Sequence, residues 1–329
     1  MSIQNPSRRS LLVGATSALA VFTTPPYLAE AAAAVTTYKD TDILNFALNL
    51  EYLEANFYYL AAFGTTIDAP NAASTAAGAS VITPSGRGTA GSVAVKPNAR
   101  VPFTSITIGA YATETAIEEG KHVALLRHAL GSAAVAQPAL DLQTSFNTLA
   151  SAAGLASPFD PFASDANFLL GAFIFEDVGV TAYRGAAPLI SNTLTGRTNL
   201  QTASSLLAVE AYHAGLVRTA LQSLDPTGTL GLVAATQKIA ALRAQFSAAV
   251  NSKAPLPDDY GLSVSRSVTL AGGSTASAAQ IADTDPATSL VFNRNTTQIL
   301  NIVTGGNAAS SGSPAKGLFF PAGLNGLFV

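Results

Sequence analysis

The chain has 329 residues, of which 48% are hydrophobic and 11% are charged, and its formal net charge is −3. A chain of this length and apolar content can bury a large core. Without a basic stripe or an aromatic platform, it is not expected to bind nucleic acid. Cysteine is absent, so disulfides, thiolate metal sites and cysteine nucleophiles are excluded, and any metal must be bound by oxygen and imidazole nitrogen.

Residues 1–34 are expected to be an export signal rather than part of the fold. Arg8 and Arg9 open a twin-arginine pattern, which an apolar run to Phe22, a Pro25-Pro26 break and small residues at 29–34 follow. This pattern predicts export to the periplasm or the extracellular space. The alternative is an ordinary secretory signal that begins with two arginines. The apolar run is about a dozen residues, well short of the ~20 that a membrane span needs.

The first predicted helix covers residues 43–63, with capping oxygens from Thr41 and Asp42 and a stop at Gly64. The following residues, 65–100, are rich in Gly, Ala, Ser, Thr and Pro without a sustained period. They are predicted to form a long loop or a short hairpin. Their role as a cover, an interface arm or a partly disordered segment stays open.

Glu51 and Tyr58 lie seven residues apart in the first helix. Seven residues make nearly two turns, so both side chains point the same way. Glu54 is about 60° away from that direction. We therefore expect Glu51 to be the inward ligand and Glu54 to lie on the flank of the helix.

The second predicted helix begins near Ser105, ends at Gly131 and carries Glu119 and His122. These two residues are one turn apart on the same face and can bind one metal together. His128 is about 240° around the helix from His122, and we expect it at the surface or at the helix end.

Three further helices are predicted downstream of a short connecting helix at 138–153. The segment 166–185 is strongly apolar and contains Glu176, with Tyr183 seven residues later, which repeats the arrangement in the first helix. The next helix, from about 198 to 224, carries Glu210 and His213. Residues 230–250 are predicted to form a fifth long helix.

The two Glu-x-x-His segments form an internal repeat. EGKHVALLRHAL begins at Glu119 and EAYHAGLVRTAL begins at Glu210, and they share Glu, His, Leu, Arg, Ala and Leu at identical spacing. One such motif alone would be weak evidence, but two in register favour a metal site. The alternative is that the motifs are coincidental and that Glu176 lies on an exposed stripe.

Charge balance predicts how many ions such a site would hold. Every glutamate after residue 34 falls in the four long predicted helices. A lone carboxylate in an apolar helix, such as Glu176, costs several kcal/mol to bury in its ionised form. Four carboxylates match the charge of two divalent cations, so the pattern indicates a dinuclear centre inside a helical bundle.

The sequence resembles the ferritin-like superfamily, and in particular ferritin-like proteins described as desiccation-related. The resemblance rests on FALNLEYLEANFYYLAAFG, EEGKH, EAYH, QILNIVTGG and GLFFPAGLNG. It implies an all-α fold built on a four-helix bundle. Together with the patterns of the other segments, this predicts a fifth helix, a long loop after the first helix and an extended C-terminal wrap. It also implies two iron or manganese ions, with Tyr58 and Tyr183 near them. The implied metal ligands are Glu51, Glu119, His122, Glu176, Glu210 and His213.

The expected domains are the signal at 1–34, the bundle at 35–250 and an extended region at 251–329. In this last region residues 262–270 alternate as a strand, with Leu262, Val264, Val268 and Leu270 on one side, and 297–303 predict a helix. Phe319 and Phe320 are expected to pack on the bundle or on a second subunit. The long insertion at 65–100 departs from compact ferritins, so cage assembly is uncertain, and homo-oligomerisation is left open.

Two functions are compatible with these features. In the first, the metal pair carries out redox chemistry with dioxygen or peroxide. In the second, the protein is a non-enzymatic desiccation-related protective or structural protein whose metals hold the bundle together. No Ser-His-Asp arrangement and no glycine-rich phosphate loop is evident in the sequence, so hydrolase and nucleotide-binding functions are disfavoured.

Overall fold

The computed structural model describes residues 38–248, 258–307 and 315–328. Its main feature is a bundle of four long helices: α1 (Asp40–Phe63), α3 (Ile106–Leu130), α5 (Asp165–Ala186) and α6 (Leu194–Leu224). Helix α1 packs mainly on α3, and α5 packs mainly on α6. The all-α prediction is confirmed. The predicted export signal lies outside the described residues.

Shorter elements connect and cover the bundle. The helices are α2 (Ala72–Ala76), α4 (Ser145–Ala152), α7 (Leu232–Ala248) and α8 (Thr296–Thr304); the strands are β1 (Val93–Ala94), β2 (Leu140–Asp141), β3 (Val264–Thr269) and β4 (Thr275–Ala279). No described helix has both the length and the apolar character that crossing a membrane requires.

The ends of α1 follow from local chemistry. The carboxylate of Asp42 accepts the backbone N–H of Lys39 at 3.1 Å, which satisfies one of the free donors at the helix start. At the other end Gly64 has φ 73°, a left-handed conformation that glycine adopts without steric cost. Thr41, which the sequence suggested as a second cap, lies inside the first turn.

The long loop after α1 is not a hairpin. Its strand β1 pairs in parallel with β2, so that Val93 lies opposite Leu140. Arg87 forms an isolated bridge with Val135. The loop therefore lies along the segment that follows α3, which sequence periodicity could not show because each pairing involves only one or two residues.

The C-terminal region packs on the bundle through α8 and through the aromatic residues that follow it. Phe319 contacts Phe146 and Phe175, with ring centroids 5.2 and 4.9 Å apart. The expected helix at 297–303 and strand at 262–270 are both present, as α8 and β3. Leu262 is buried, but Val268 and Leu270 are 42% and 51% exposed, so these two apolar side chains are not part of the core.

A buried ion-pair network also ties this region to α5. Asp177 accepts hydrogen bonds from Arg218 at 2.9 Å and from Arg243 at 3.0 Å. Arg243 and Arg294 each bind Asp259 as well. The arginines supply the positive charge that these buried carboxylates need. Asp177 directly follows Glu176 on α5 and faces away from it, so the network fixes the helix that presents Glu176.

Candidate metal centre

The four long helices bring the six predicted ligands together in the middle of the bundle. Helix α1 contributes Glu51, α3 contributes Glu119 and His122, α5 contributes Glu176, and α6 contributes Glu210 and His213. None of these residues is more than 6% exposed. They form two groups of side chains whose donor atoms lie close enough to hold a metal ion, and Glu119 belongs to both groups.

The first group surrounds the imidazole of His122. Its Nδ1 atom lies 3.3 Å from Oε2 of Glu51, 3.5 Å from Oε2 of Glu119 and 3.6 Å from Oε1 of Glu210. Three carboxylates from three different helices therefore converge on one ring nitrogen. Such a mixed set of carboxylate and imidazole donors can bind a divalent metal ion.

The second group surrounds the imidazole of His213. Its Nδ1 atom lies 3.0 Å from Oε1 of Glu119 and 3.6 Å from Oε2 of Glu176. The two oxygens of Glu119 thus face different histidines, whose ring centroids are 6.1 Å apart. Glu119 could therefore supply one oxygen to each of the two groups.

The donor atoms of both groups are buried and form no hydrogen bond within the described part of the chain. A buried polar atom without a partner costs free energy, so a set of such atoms in one place requires another species that they can bind. The residues therefore fit bound metal cations. These atoms are Glu51 Oε2, both oxygens of Glu119, His122 Nδ1, Glu176 Oε2, both oxygens of Glu210, and His213 Nδ1.

Two tyrosines orient Glu51 and Glu176. The hydroxyl of Tyr58 donates to Oε1 of Glu176, and the hydroxyl of Tyr183 donates to Oε1 of Glu51. Each tyrosine therefore binds the glutamate of the other helix rather than that of its own. One oxygen of each glutamate is held by the tyrosine, and the other faces the histidines.

The clustered carboxylates control the charge of the imidazoles. Burial alone lowers the pKa of His122, but Glu119 and Glu51 outweigh it and raise the pKa to about 11. Burial also lowers the pKa of His213, and Glu176, Glu118 and Glu119 raise it to about 11. In the metal-free protein both imidazoles are therefore cationic at neutral pH, and a metal ion would replace their protons.

The pKa values of the clustered glutamates shift in opposite directions. Burial raises the pKa of Glu51 to about 7 and that of Glu176 to about 8, and it raises the pKa of Glu210 well above its usual range. Burial also acts to raise the pKa of Glu119, but the neighbouring His122 and His213 lower it below the ordinary value. Glu119 is thus the carboxylate that stays ionised between the two imidazoliums.

Glu118, which the sequence did not single out, contacts the ring nitrogen of His213 that lies away from the other glutamates. Oε2 of Glu118 lies 2.7 Å from Nε2 of His213, and the hydrogen bond to His213 lowers the pKa of Glu118. An ionised carboxylate can only accept, so Nε2 of His213 carries a proton and Nδ1 is left to bind metal. The doubled glutamate in EEGKH was the signal in the sequence.

Glu54, which was expected on the flank of the first helix, is buried although it is not one of the six predicted ligands. The residue is 6% exposed, because α1 is covered on all sides: every residue from Leu48 to Phe63 is buried. A 60° rotation away from the centre of a helix face reaches solvent only when the other side of the helix is open. His128, by contrast, is exposed as expected.

Comparison with known proteins agrees with this architecture. The family described as "Ferritin-like domain" matches residues 39–223, which is more than half of the chain. The chain therefore belongs to the ferritin-like family.

Two known proteins are similar in sequence to more than half of this chain. The desiccation-related protein PCC13-62 of Craterostigma plantagineum is 32% identical over 214 residues, which cover 62% of this chain and 61% of the relative. The ferritin-like catalase Nec2 of Nesocodon mauritianus is 29% identical over 185 residues, which cover 54% of this chain and 52% of the relative. The chain thus matches about half to three fifths of the length of these relatives. No solved structure matches it significantly.

Proposed function

We propose that this protein is an exported metalloprotein that binds two iron or manganese ions and uses them in redox chemistry with peroxide or dioxygen, as a protection against stress. The observation that carries the proposal is the set of buried carboxylate and imidazole atoms without hydrogen-bond partners. Export rests on the twin-arginine pattern at Arg8 and Arg9.

Each ion would be held by one of the two groups. One would be bound by Glu51, Glu119, His122 and Glu210, and the other by Glu119, Glu176 and His213. The metal pair would supply reversible one-electron oxidation and reduction of the two ions.

The protein's own residues would prepare this chemistry. Tyr58 and Tyr183 leave one oxygen of each terminal glutamate free, and Glu118 fixes the tautomer of His213. The low exposure of all six ligands keeps water away, which strengthens every charge interaction inside the bundle.

Hydrogen peroxide is the substrate that we favour. Its disproportionation converts two molecules of hydrogen peroxide into two of water and one of dioxygen, so it requires no external reductant. One relative is named a ferritin-like catalase. Reduction of dioxygen would instead require an electron donor.

A test is to load the protein with Mn²⁺ or Fe²⁺, measure bound metal, and follow peroxide decay and dioxygen release. We expect dioxygen at half the molar amount of peroxide consumed, and a loss of at least about tenfold in rate and in bound metal for His213→Ala, since a ligand is removed. His128→Ala is the matched control, because His128 is an exposed histidine on α3, and it should change neither quantity.

A protein that retains two ions but releases no dioxygen would favour a second function. In that case the metals would stabilise the bundle of a protective, non-enzymatic protein. The near-complete burial of the ligands and the similarity to a desiccation-related protein support this alternative.

A further inference from the structure

The internal repeat between α1 and α5 is broken at one position, and that position lies at the metal centre. Glu51 and Tyr58 on α1 correspond to Glu176 and Tyr183 on α5, with the same spacing of seven residues. Three residues after the glutamate, α1 has Glu54 whereas α5 has Gly179.

Gly179 leaves room for two carboxylates to approach each other. A methyl group placed on Gly179 would lie 2.2 Å from Oε2 of Glu210 and 3.5 Å from Oε1 of Glu54. The first distance is far inside van der Waals contact, so no other residue fits without moving Glu210. Gly179 therefore lies beside both a carboxylate oxygen of Glu54 and Oε2 of Glu210, and this Glu210 oxygen has no hydrogen-bond partner in the described chain.

Glu54 itself has no hydrogen bond and no ion pair with any residue that the structure describes. Only 6% of the surface of Glu54 is exposed. Together with Leu53, Val178 and Ile302, it lines an apolar cavity of about 20 Å³. A cavity of that size holds about one water molecule. Burying an ionised carboxylate in such surroundings costs several kcal/mol unless a cation or donor compensates it.

The electrostatic environment connects Glu54 to the same centre. Burial raises the pKa of Glu54 well above its usual range, and the charges of Glu119, Glu176 and Glu51 raise it further. A fifth acid in a cluster of four carboxylates weakens the metal-free fold, because like charges repel and each one is desolvated. Such a cost is expected where the residue binds a cation.

We propose, on the basis of the metal-binding function above, that Glu54 is a further metal ligand, which supplies a carboxylate oxygen to the centre beside Oε2 of Glu210. The group around His213 contains only three residues, Glu119, Glu176 and His213, whereas the group around His122 contains four. Glu54 belongs to neither group as the side chains are placed, but it lies beside Gly179 and Oε2 of Glu210 and can supply a further carboxylate oxygen to the centre. Glu54 would thus be a seventh metal ligand, in addition to the six predicted ones.

The experiment compares wild-type protein with Glu54→Gln by titrating metal-free protein with Mn²⁺ and, separately, with Co²⁺. Glutamine keeps the shape but provides a neutral amide oxygen. We expect the weaker of the two Mn²⁺ affinities to fall at least about tenfold, and the visible absorption spectrum of bound Co²⁺ to change because a donor is lost. Glu114→Gln is the matched control, since Glu114 is an exposed glutamate on α3, and it should leave both readouts unchanged.

Unchanged Mn²⁺ affinities and an unchanged Co²⁺ spectrum in Glu54→Gln would overturn the proposal, even if the metal-free variant became more stable. If the variant does not fold, Glu54→Asp keeps the charge and shortens the reach, and it should lower the same affinity. A wild-type protein that binds two ions while Glu54→Gln binds them equally well contradicts only this inference. Absence of metal binding by the wild type contradicts the proposed function as well.

Discussion

Replacing Glu119 with glutamine is expected to weaken the binding of both metal ions by at least about tenfold each, whereas Glu176→Gln should weaken chiefly one. The reason is that the two oxygens of Glu119 face His122 and His213 separately, while the free oxygen of Glu176 faces only His213. Metal titration followed by calorimetry measures both constants in each variant.

The same pair of variants should change the stability of the metal-free protein in opposite directions. Glu119 lies between two cationic imidazoles, which lower its pKa, so its removal should destabilise the fold by about 3–5 kcal/mol. Burial raises the pKa of Glu176 to about 8, so its removal at pH 7 should stabilise the fold by about 1–3 kcal/mol. Denaturant unfolding of metal-free protein measures both values, and shifts of the same sign would contradict the assigned roles.

The metal-free protein is expected to lose stability as the pH rises from about 5 to about 8. The pKa of Glu51 rises from 4.5 to about 7 on folding and that of Glu176 from 4.5 to about 8. Between these values the folded protein binds more protons than the unfolded chain, so the free energy of unfolding falls with pH. Each group contributes a slope of up to about 1.4 kcal/mol per pH unit.

The two imidazoles also make the metal-free protein less stable as the pH rises. The contribution of Glu119 changes only at a pH below this range. The pKa of His122 and of His213 rises from 6.5 to about 11, so their contribution is complete below pH 6.5 and is lost as the pH rises toward 11. The lowered pKa of Glu119 gives stability that is lost only as the pH falls below 4.5. Bound metal should reverse the trend, because it displaces these protons. Identical melting curves with and without chelator between pH 5 and pH 8 would count against a clustered site.

The convergence of each Glu-x-x-His pair could be predicted because helical spacing determines which side chains share a face. Glu119 and His122, and Glu210 and His213, are one turn apart in the sequence and converge in the structure. The partner of each tyrosine could not be predicted, because Tyr58 binds the glutamate of α5 rather than its own. Such pairings depend on how two helices pack, which spacing within one helix does not specify.

Glu54 and Glu118 show the limit of the same reasoning. Angular position on α1 suggested that Glu54 was peripheral, but burial depends on what covers the helix, and here the loop at 65–100 and the C-terminal region enclose the bundle. Glu118 was not singled out beside Glu119, yet it reaches His213 on another helix. Residues that act through tertiary contacts have no periodic signal in the sequence.

The proposed pair of metal ions is tested most directly by a crystal structure of protein purified from its own host, with anomalous diffraction measured across the iron and manganese absorption edges. We expect two peaks per chain from one or both of these metals. One should lie among Glu51, Glu119, His122 and Glu210, and the other among Glu119, Glu176 and His213. The absence of any iron or manganese peak between these side chains would contradict the proposal.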